Sequence, residues 1–529
     1  MTEIIGYDGI NSIGGNKIVL RDRNTTLLLD FGLNIGAQSQ YYEEFITPRE
    51  SALGLYDRLQ LGLLPPIRGI YRPDLSAAAF PYESVLTDDI GEVSGVFLSH
   101  AHADHLQDIG VLRHEIPIYC SSMSAAISKA VQDAKGSSEA FYLRLRAAGE
   151  NGGLKAIRAD GKDIHTIFRR HCLVDSMREA GSEFWRNVPL SRFNQETAKY
   201  QAVGPAPDRV GGINWRAFPV DHSILGACAY AFETEAGWVV YTGDLRFHGG
   251  RRERSHRFIE QAAALKPVAL ITEGTRIQEP KQRFTEEDVL DSALKLSSQA
   301  VGRLVIADFS MRHLERLISM MHVAKEANRR FVIMPEDAYL ISAAHEGAEL
   351  ADDRINLPSL DDPNLLLYEK FSSASPKTWD RALRDEVGDD RRVNASQIAE
   401  DPGLYLLCIG FFQVNELPFL VKPGAAGPYW IISNSEPYNE EMELDLDRLR
   451  NWTKAFQCML LPYDLQGSDS DADRLHVSGH SSGEEIIEMV RQINPKVVIP
   501  IHTTHPEVFR ERLAEMDIIF PEKGKPIRL

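Results

Sequence analysis

The chain has 529 residues, of which 43% are hydrophobic and 25% charged, with 58 basic against 76 acidic side chains and a formal charge of −18. At roughly 100–200 residues per domain this length predicts two to four domains with ample core, and the composition excludes collagen-like, low-complexity and disordered chains. The acidic balance argues against non-specific adhesion to nucleic acid or to an anionic membrane, and no apolar run reaches the roughly 18 residues that would span a bilayer.

The opening MTEIIGYDGINSIGG has neither the basic start nor the apolar core of a signal peptide, so the expected location is cytoplasmic. Strand-length apolar runs follow: NKIVLRD, NTTLLLDFG and VSGVFLSH. Residues 47–88, interrupted by prolines, read as an insertion decorating a domain rim. Residues 121–200 predict helices, because MSAAISKAVQDAK and HTIFRRHCLVDSMREAGSEFW repeat apolar residues at three- and four-residue spacing. Strands return with NWRAFPV, CAYAFET, GWVVYTGD and ALITEGT.

From residue 284 helices and strands alternate, as in TEEDVLDSALKLSSQA, GRLVIADF, RHLERLISMMHVAKEANR and RFVIMPE, which predicts a parallel α/β unit. The last ninety or so residues revert to the first style, with KAFQCMLLPYD, SGEEIIEMVRQI and KVVIPIH. The expected organisation is therefore one α/β domain in two parts, 1–283 and 436–529, with a second domain inserted at 284–435.

Cys120, Cys172, Cys228, Cys408 and Cys458 never form a CxxC pair and read as reduced core residues. Any metal must then be held by imidazole and carboxylate. FLSHAHADHLQDIG concentrates such groups: His100, His102, Asp104 and His105 stand where a strand gives way to a helix. Residues two apart on a strand share a side, so His100 and His102 address one point and Asp104 with His105 a second, which predicts two adjacent metal sites. His222 in FPVDHSILGA and Asp244 in VVYTGDLRFHG lie at later strand ends and offer further ligands.

HAHADH followed by His222 and Asp244 resembles the metallo-β-lactamase fold, an αββα sandwich. By that resemblance Asp244 bridges two metals, usually Zn2+, although the ligand set would also accept Mn2+. Asp30 in LLLDFG matches the early aspartate that supports the ligands without binding metal. ITEGT with Glu273, HVSGHSSGEE with His480, and VVIPIHTTH with His502 resemble the further motifs of the β-CASP branch, which includes ribonuclease J, and in which an α/β domain is inserted into the sandwich. The resemblance places His502 on the second metal with Asp104 and His105. It makes His480, oriented by Glu273, the proton donor near the leaving group. Ser478 and Ser481 are the expected substrate contacts.

The implied activity is that of a ribonuclease, a hydrolase in which a metal-held hydroxide, with Asp104 among the groups that hold it, attacks an RNA phosphodiester in line. The implied partner is RNA, with no membrane and with assembly into a homo-oligomer left open. Two readings compete: a hydrolase of a small phosphodiester or ester with the same metals, and an inactive fold kept as a binding subunit. Two departures stand out. Where ribonuclease J carries small residues that grip a 5′ phosphate, this chain reads LCIGFFQVNELPFLVK, with Phe411 and Phe412 between Gly410 and Gln413. After His502 the usual Gly-Glu is Thr503 and Thr504.

Overall fold

A computed structural model describes the chain apart from residues 44, 136–138, 157, 160–162, 165, 189–202, 352–354, 373–375, 435–439 and 465–473. Two large sheets lie face to face. The first has eight strands, in the order Val203–Pro205, His171–Leu173, Ile118–Cys120, Val93–Phe97, Thr25–Leu29, Lys17–Asp22, Thr2–Asp8 and Pro526–Arg528. The second has seven, in the order Arg209–Val210, Ile213–Pro219, Cys228–Thr234, Gly237–Tyr241, Ala269–Glu273, Val497–Ile501 and Asp517–Ile518. Their inner faces alternate Ile, Leu and aromatic residues, and Phe97 of the first meets Tyr230 and Phe232 of the second at centroid distances of 5.2 and 4.8 Å. This aromatic layer keeps water from the middle of the sandwich.

Helices Arg252–Ala264 and Gly483–Ile493 cover the outer face of the second sheet through Phe258, Ile259, Ile486 and Val490. Ser482 caps the latter helix, its hydroxyl accepting from Glu485 N while the Glu485 carboxylate accepts from Ser482 N. A third sheet of seven parallel strands holds Arg392–Asn394, Leu365–Glu369, Arg330–Ile333, Tyr405–Cys408, Val305–Asp308, Tyr429–Ile432 and Met459–Leu461 in that order. Its helix Glu286–Gln299 starts from a capping box between Thr285 and Asp288. The helix Pro335–Ala351 lies against Ser122–Lys135 so closely that a Cβ on Gly347 would come within 2.9 Å of Met123 Cα.

Three expectations change. Part of the expected helix is strand: Thr166–Phe168 pairs with Tyr142–Arg144, and His171–Leu173 runs between Ile118–Cys120 and Val203–Pro205. Thr166, Ile167 and Phe168 favour extended backbone, and buried Arg169 fixes the corner by donating to the carbonyls of Arg113, Leu112 and Ile109 at 2.5, 2.8 and 3.1 Å. Residues 47–88 are not a rim decoration, since Leu55, Ile67, Ile70 and Leu75 are core residues and buried Arg58 binds Asp108 at 2.6 Å. The expected end of the inserted domain at residue 435 lies outside the described residues, but Met459–Leu461, expected beyond it, extends the third sheet through its pairing with Tyr429–Ile432.

Candidate metal centre

The strand Val93–Phe97 delivers the chain to Ser99 and His100, and His102 then caps the one-turn helix Ala103–Leu106. Backbone straps hold this turn: Gly15 N and Asn16 N donate to the Asp104 carbonyl at 3.0 and 3.1 Å, and Phe31 N donates to the His105 carbonyl at 3.0 Å. Gly32 is part of the strap. A Cβ there would lie 1.7 Å from the Asp104 carbonyl oxygen, so only glycine admits this approach.

Three imidazole nitrogens converge at a first point. His102 Nδ1 lies 3.0 Å from His100 Nε2 and 3.1 Å from His222 Nε2. His222 Nδ1 donates to the Gly479 carbonyl at 2.6 Å, so its Nε2 carries the lone pair. Burial, reinforced by the neighbouring imidazoles, holds His100 and His222 well below the ordinary histidine range. Burial pushes His102 down to about 3. Neutral imidazoles that aim lone pairs at one another cannot satisfy each other by hydrogen bonding; a cation between them can.

At a second point Asp104, His105, Asp244 and His502 bring one ligand atom each within 4.8 Å of the others. Asp104 Oδ2 is 3.3 Å from His502 Nε2 and 3.6 Å from His105 Nε2. Asp244 Oδ2 stands between the two points, 3.7 Å from His100 Nε2, 3.0 Å from His105 Nε2 and 3.7 Å from His502 Nε2. Asp244 Oδ1 and His105 Nε2 are buried without a hydrogen-bond partner. Orphaned buried donors and acceptors at the focus of a carboxylate and imidazole cluster are what bound divalent ions would satisfy.

Supporting contacts fix each ring. Asp30, at a positive φ of 57° and fully buried, takes Ser99 N at 2.6 Å, the Ser99 hydroxyl at 2.7 Å, His105 Nδ1 at 2.7 Å and the Tyr241 hydroxyl. The His502 ring is set by Thr275, whose hydroxyl donates to Glu273 at 2.6 Å and lies 2.8 Å from His502 Nδ1. Thr503 accepts from His505 N at 3.1 Å, and the hydroxyl beside His502 Nδ1 comes instead from Thr275 at another strand end.

Beside both points sits His480. Its Nδ1 is 2.9 Å from Glu273 Oε2 and 3.9 Å from Asp244 Oδ2. Burial pushes its pKa down, but Glu273, with Asp244 and Asp104 behind it, outweighs burial and raises it to about 9. The loop carrying His480 is pinned by its carbonyls: Ser478 accepts from His248 at 2.8 Å, Gly479 from His222, and His480 from Arg276 at 3.1 Å. Ser478 Oγ accepts from His480 N at 3.1 Å and stays partly accessible. Ser481 does not fit the expected substrate contact, because it is buried with its hydroxyl and its N–H both committed to the Leu245 carbonyl.

Sequence reading missed Ser99, Tyr241, Thr275 and His248, although all four lie inside the stretches that drew attention. It also missed a buried ion network. Arg246, two residues past Asp244, pairs with Asp221 at 3.4 Å and with Glu286 at 2.7 Å, and contacts Glu315 as well, joining the turns that carry His222 and Asp244 to helices Glu286–Gln299 and Leu314–Glu326 of the third-sheet unit.

Residues 64–152 match the family model described as a beta-lactamase superfamily domain, and residues 472–520 match a Zn-dependent metallo-hydrolase RNA specificity domain. Ribonuclease J of Helicobacter pylori (strain ATCC 700392 / 26695) is 18% identical over 99% of this chain, which spans 59% of that relative's length. Ribonuclease J 2 of Streptococcus pyogenes serotype M3 is 21% identical over 99% of this chain and 74% of its own. Ribonuclease J of Methanocaldococcus jannaschii is 20% identical over 94% and 91%. A crystal structure of a protein of unknown function from Enterococcus faecalis V583 superposes over 100% of both chains with a TM-score of 0.64 at 21% identity, which shows a shared fold.

Proposed function

For a chain that is a ribonuclease J-like protein of the metallo-β-lactamase fold with a β-CASP insertion, we propose the activity of a metal-dependent ribonuclease. The observation that carries this reading is the pair of ligand clusters sharing Asp244, with a carboxylate-held imidazole beside them. His100, His102, His222 and Asp244 would hold one divalent ion, and Asp104, His105, His502 and Asp244 the other. Two such ions, Zn2+ or alternatively Mn2+, lower the pKa of water and offset charge on a phosphoryl group.

The chain's own residues supply the rest. Glu273 accepts from His480 Nδ1 and so presents Nε2 as the atom that can hand a proton to the departing sugar oxygen. The Glu273 carboxylate also favours the protonated ring that a general acid must present. Asp30 and Thr275 hold the rings of His105 and His502 so that their Nε2 atoms face the cleft. The partly accessible Ser478 lies where it could meet substrate; Ser481 anchors the loop instead. RNA is favoured as substrate because the matched RNA specificity domain spans both His480 and His502. We take residues 1–283 with the closing segment as the metallo-β-lactamase domain, and the inserted domain as starting at 284 and reaching Leu461. The described residues include no helix long and apolar enough to cross a membrane, and the cytoplasm is our proposed site of action.

The deciding experiment incubates the metal-quantified protein with single-stranded RNA labelled at the 5′ or the 3′ end, beside matched DNA and an Asp104→Ala control. Cleavage of RNA that disappears in the control supports the reading, and the ladder gives the direction. Intact RNA with two metals bound would turn it toward a small phosphodiester or ester.

A further inference from the structure

One basic group beside the metal ligands has no place in the scheme above. After the strand Val305–Asp308 the inserted domain turns toward the sandwich, and the turn is fixed by His313 N donating to the Ser310 carbonyl at 2.8 Å and by His313 Nδ1 accepting from Arg316 N at 3.0 Å. This places Arg312 against the ligand turn, its Nη1 3.4 Å from the carbonyl of Ala101, the residue between His100 and His102. The guanidinium is held within the electrostatic reach of both His102 and Asp104.

Arg312 differs from the buried arginines around it. Arg246 meets three carboxylates and joins the two parts of the molecule, and Arg316 meets Glu286 and Ser433 within the inserted domain, so the forks of both are engaged. Among the described residues no carboxylate lies within ion-pairing distance of Arg312, and one long bond to a carbonyl engages one of its five N–H donors. Burial disfavours its charge, and Asp104 offsets only part of that penalty. A partly exposed cation, with most of its fork undirected and set beside the cluster of candidate metal ligands, is matched to a phosphate oxygen pair.

Resting on the ribonuclease reading, we propose that Arg312 grips a phosphate of the RNA strand as it crosses the metal ligands, so that the inserted domain contributes a substrate-binding residue to the active site. The Ala101 carbonyl holds the fork in place until a phosphate takes it. The seat of the inserted domain, fixed by the Arg246 network, then sets how far the phosphate lies from His480.

The test uses the full metal-loaded chain, as wild type, Arg312→Gln and Arg312→Lys, with RNA whose linkages are replaced one at a time by uncharged methylphosphonate. Metal content and thermal melting are measured on all three. Arg312→Gln should lower kcat/KM by about 100-fold, reduce the salt slope of RNA binding by about one, and leave metal content unchanged. One methylphosphonate position should impair wild type and add nothing further in Arg312→Gln, while Arg312→Lys, a point charge without a fork, should recover part of the loss. Turnover in Arg312→Gln equal to wild type, or a loss equally deep at every neutral linkage in both proteins, overturns the assignment and leaves the ribonuclease reading standing. Wild type that neither binds nor cuts RNA overturns both.

Discussion

The carboxylate of Glu273 serves three groups: Oε2 lies 2.9 Å from His480 Nδ1 and accepts from the Thr275 hydroxyl, while Oε1 accepts from Leu245 N at 2.7 Å. Leu245 directly follows Asp244, so one side chain fixes both the imidazole and the backbone beside the shared ligand. The arrangement gives a pH signature. A general acid works only while protonated, so turnover should fall as pH rises through the His480 pKa, which the Glu273 carboxylate raises. Removing the negative partner in Glu273→Gln lowers that pKa, and the alkaline limb of the rate profile should move to lower pH. His480→Ala should remove the limb and slow cleavage by about 10²- to 10⁴-fold with both metals retained; a limb unmoved in Glu273→Gln would refute the coupling.

Asp30 takes four donors from three residues, one of them the Nδ1 of His105. Asp30→Ala should therefore weaken metal binding by about 10- to 100-fold, read by competition with a chromogenic chelator. It should also lower stability by about 1–3 kcal/mol through the buried donors it orphans, read by chemical denaturation of the metal-free protein. A variant with wild-type affinity would show that His105 is oriented by other means.

Arg246 is fully buried between Asp221, Glu286 and Glu315. Its loss leaves carboxylates buried without their cation, so Arg246→Ala should destabilise by about 3–5 kcal/mol in a denaturant titration. Hydrogen exchange should quicken first in the turn carrying Asp221 and at the start of helix Leu314–Glu326, where the network joins the two parts; uniform protection would contradict this.

Asp308, at the end of a central strand of the third sheet, is pushed up to about 6 by burial, against the pull of donors from Trp430, Asn434 and Phe411. A carboxyl with a raised pKa binds its proton more tightly in the folded state, so stability from this group is full at low pH and is lost as pH rises from about 4 through 6. The loss is on the order of 2–3 kcal/mol at 1.36 kcal/mol per pKa unit. Denaturation of wild type and Asp308→Asn at pH 4.5 and pH 7.5 should show wild type losing ground relative to the variant at the higher pH, and a difference independent of pH would show that Asp308 does not titrate there. Gly410 packs over the same carboxyl, where a Cβ would come within 2.8 Å of Oδ1, and Phe412 beside it is exposed. The loop that departs from ribonuclease J thus sits over an acid.

The ligand clusters were legible because their chemistry is local: His100, His102, Asp104 and His105 occupy six positions, and strand alternation alone divides them into two aims. The capping boxes at Thr285 and Ser482 are local in the same way, each joining residues three apart. Resemblance supplied what spacing could not, namely that His502, 398 residues from Asp104, closes on it. Where the sequence misled, a local pattern had two solutions. The apolar spacing of residues 166–173 suits a helix in isolation, and pairing with Ile118–Cys120 decides for strand. Ser481 looks like a free hydroxyl beside a catalytic histidine until the Leu245 carbonyl takes it. Thr275, Arg246 and Arg312 carry no signal of their own, because a threonine after a strand and an arginine near a helix start are common in any chain. What Arg246 and Arg312 do is fixed only when the inserted domain folds back on the sandwich, and what Thr275 does when Ala269–Glu273 pairs with Val497–Ile501: the sequence sets which groups can bind a cation or a phosphate, and the long-range packing sets which of them face the same point.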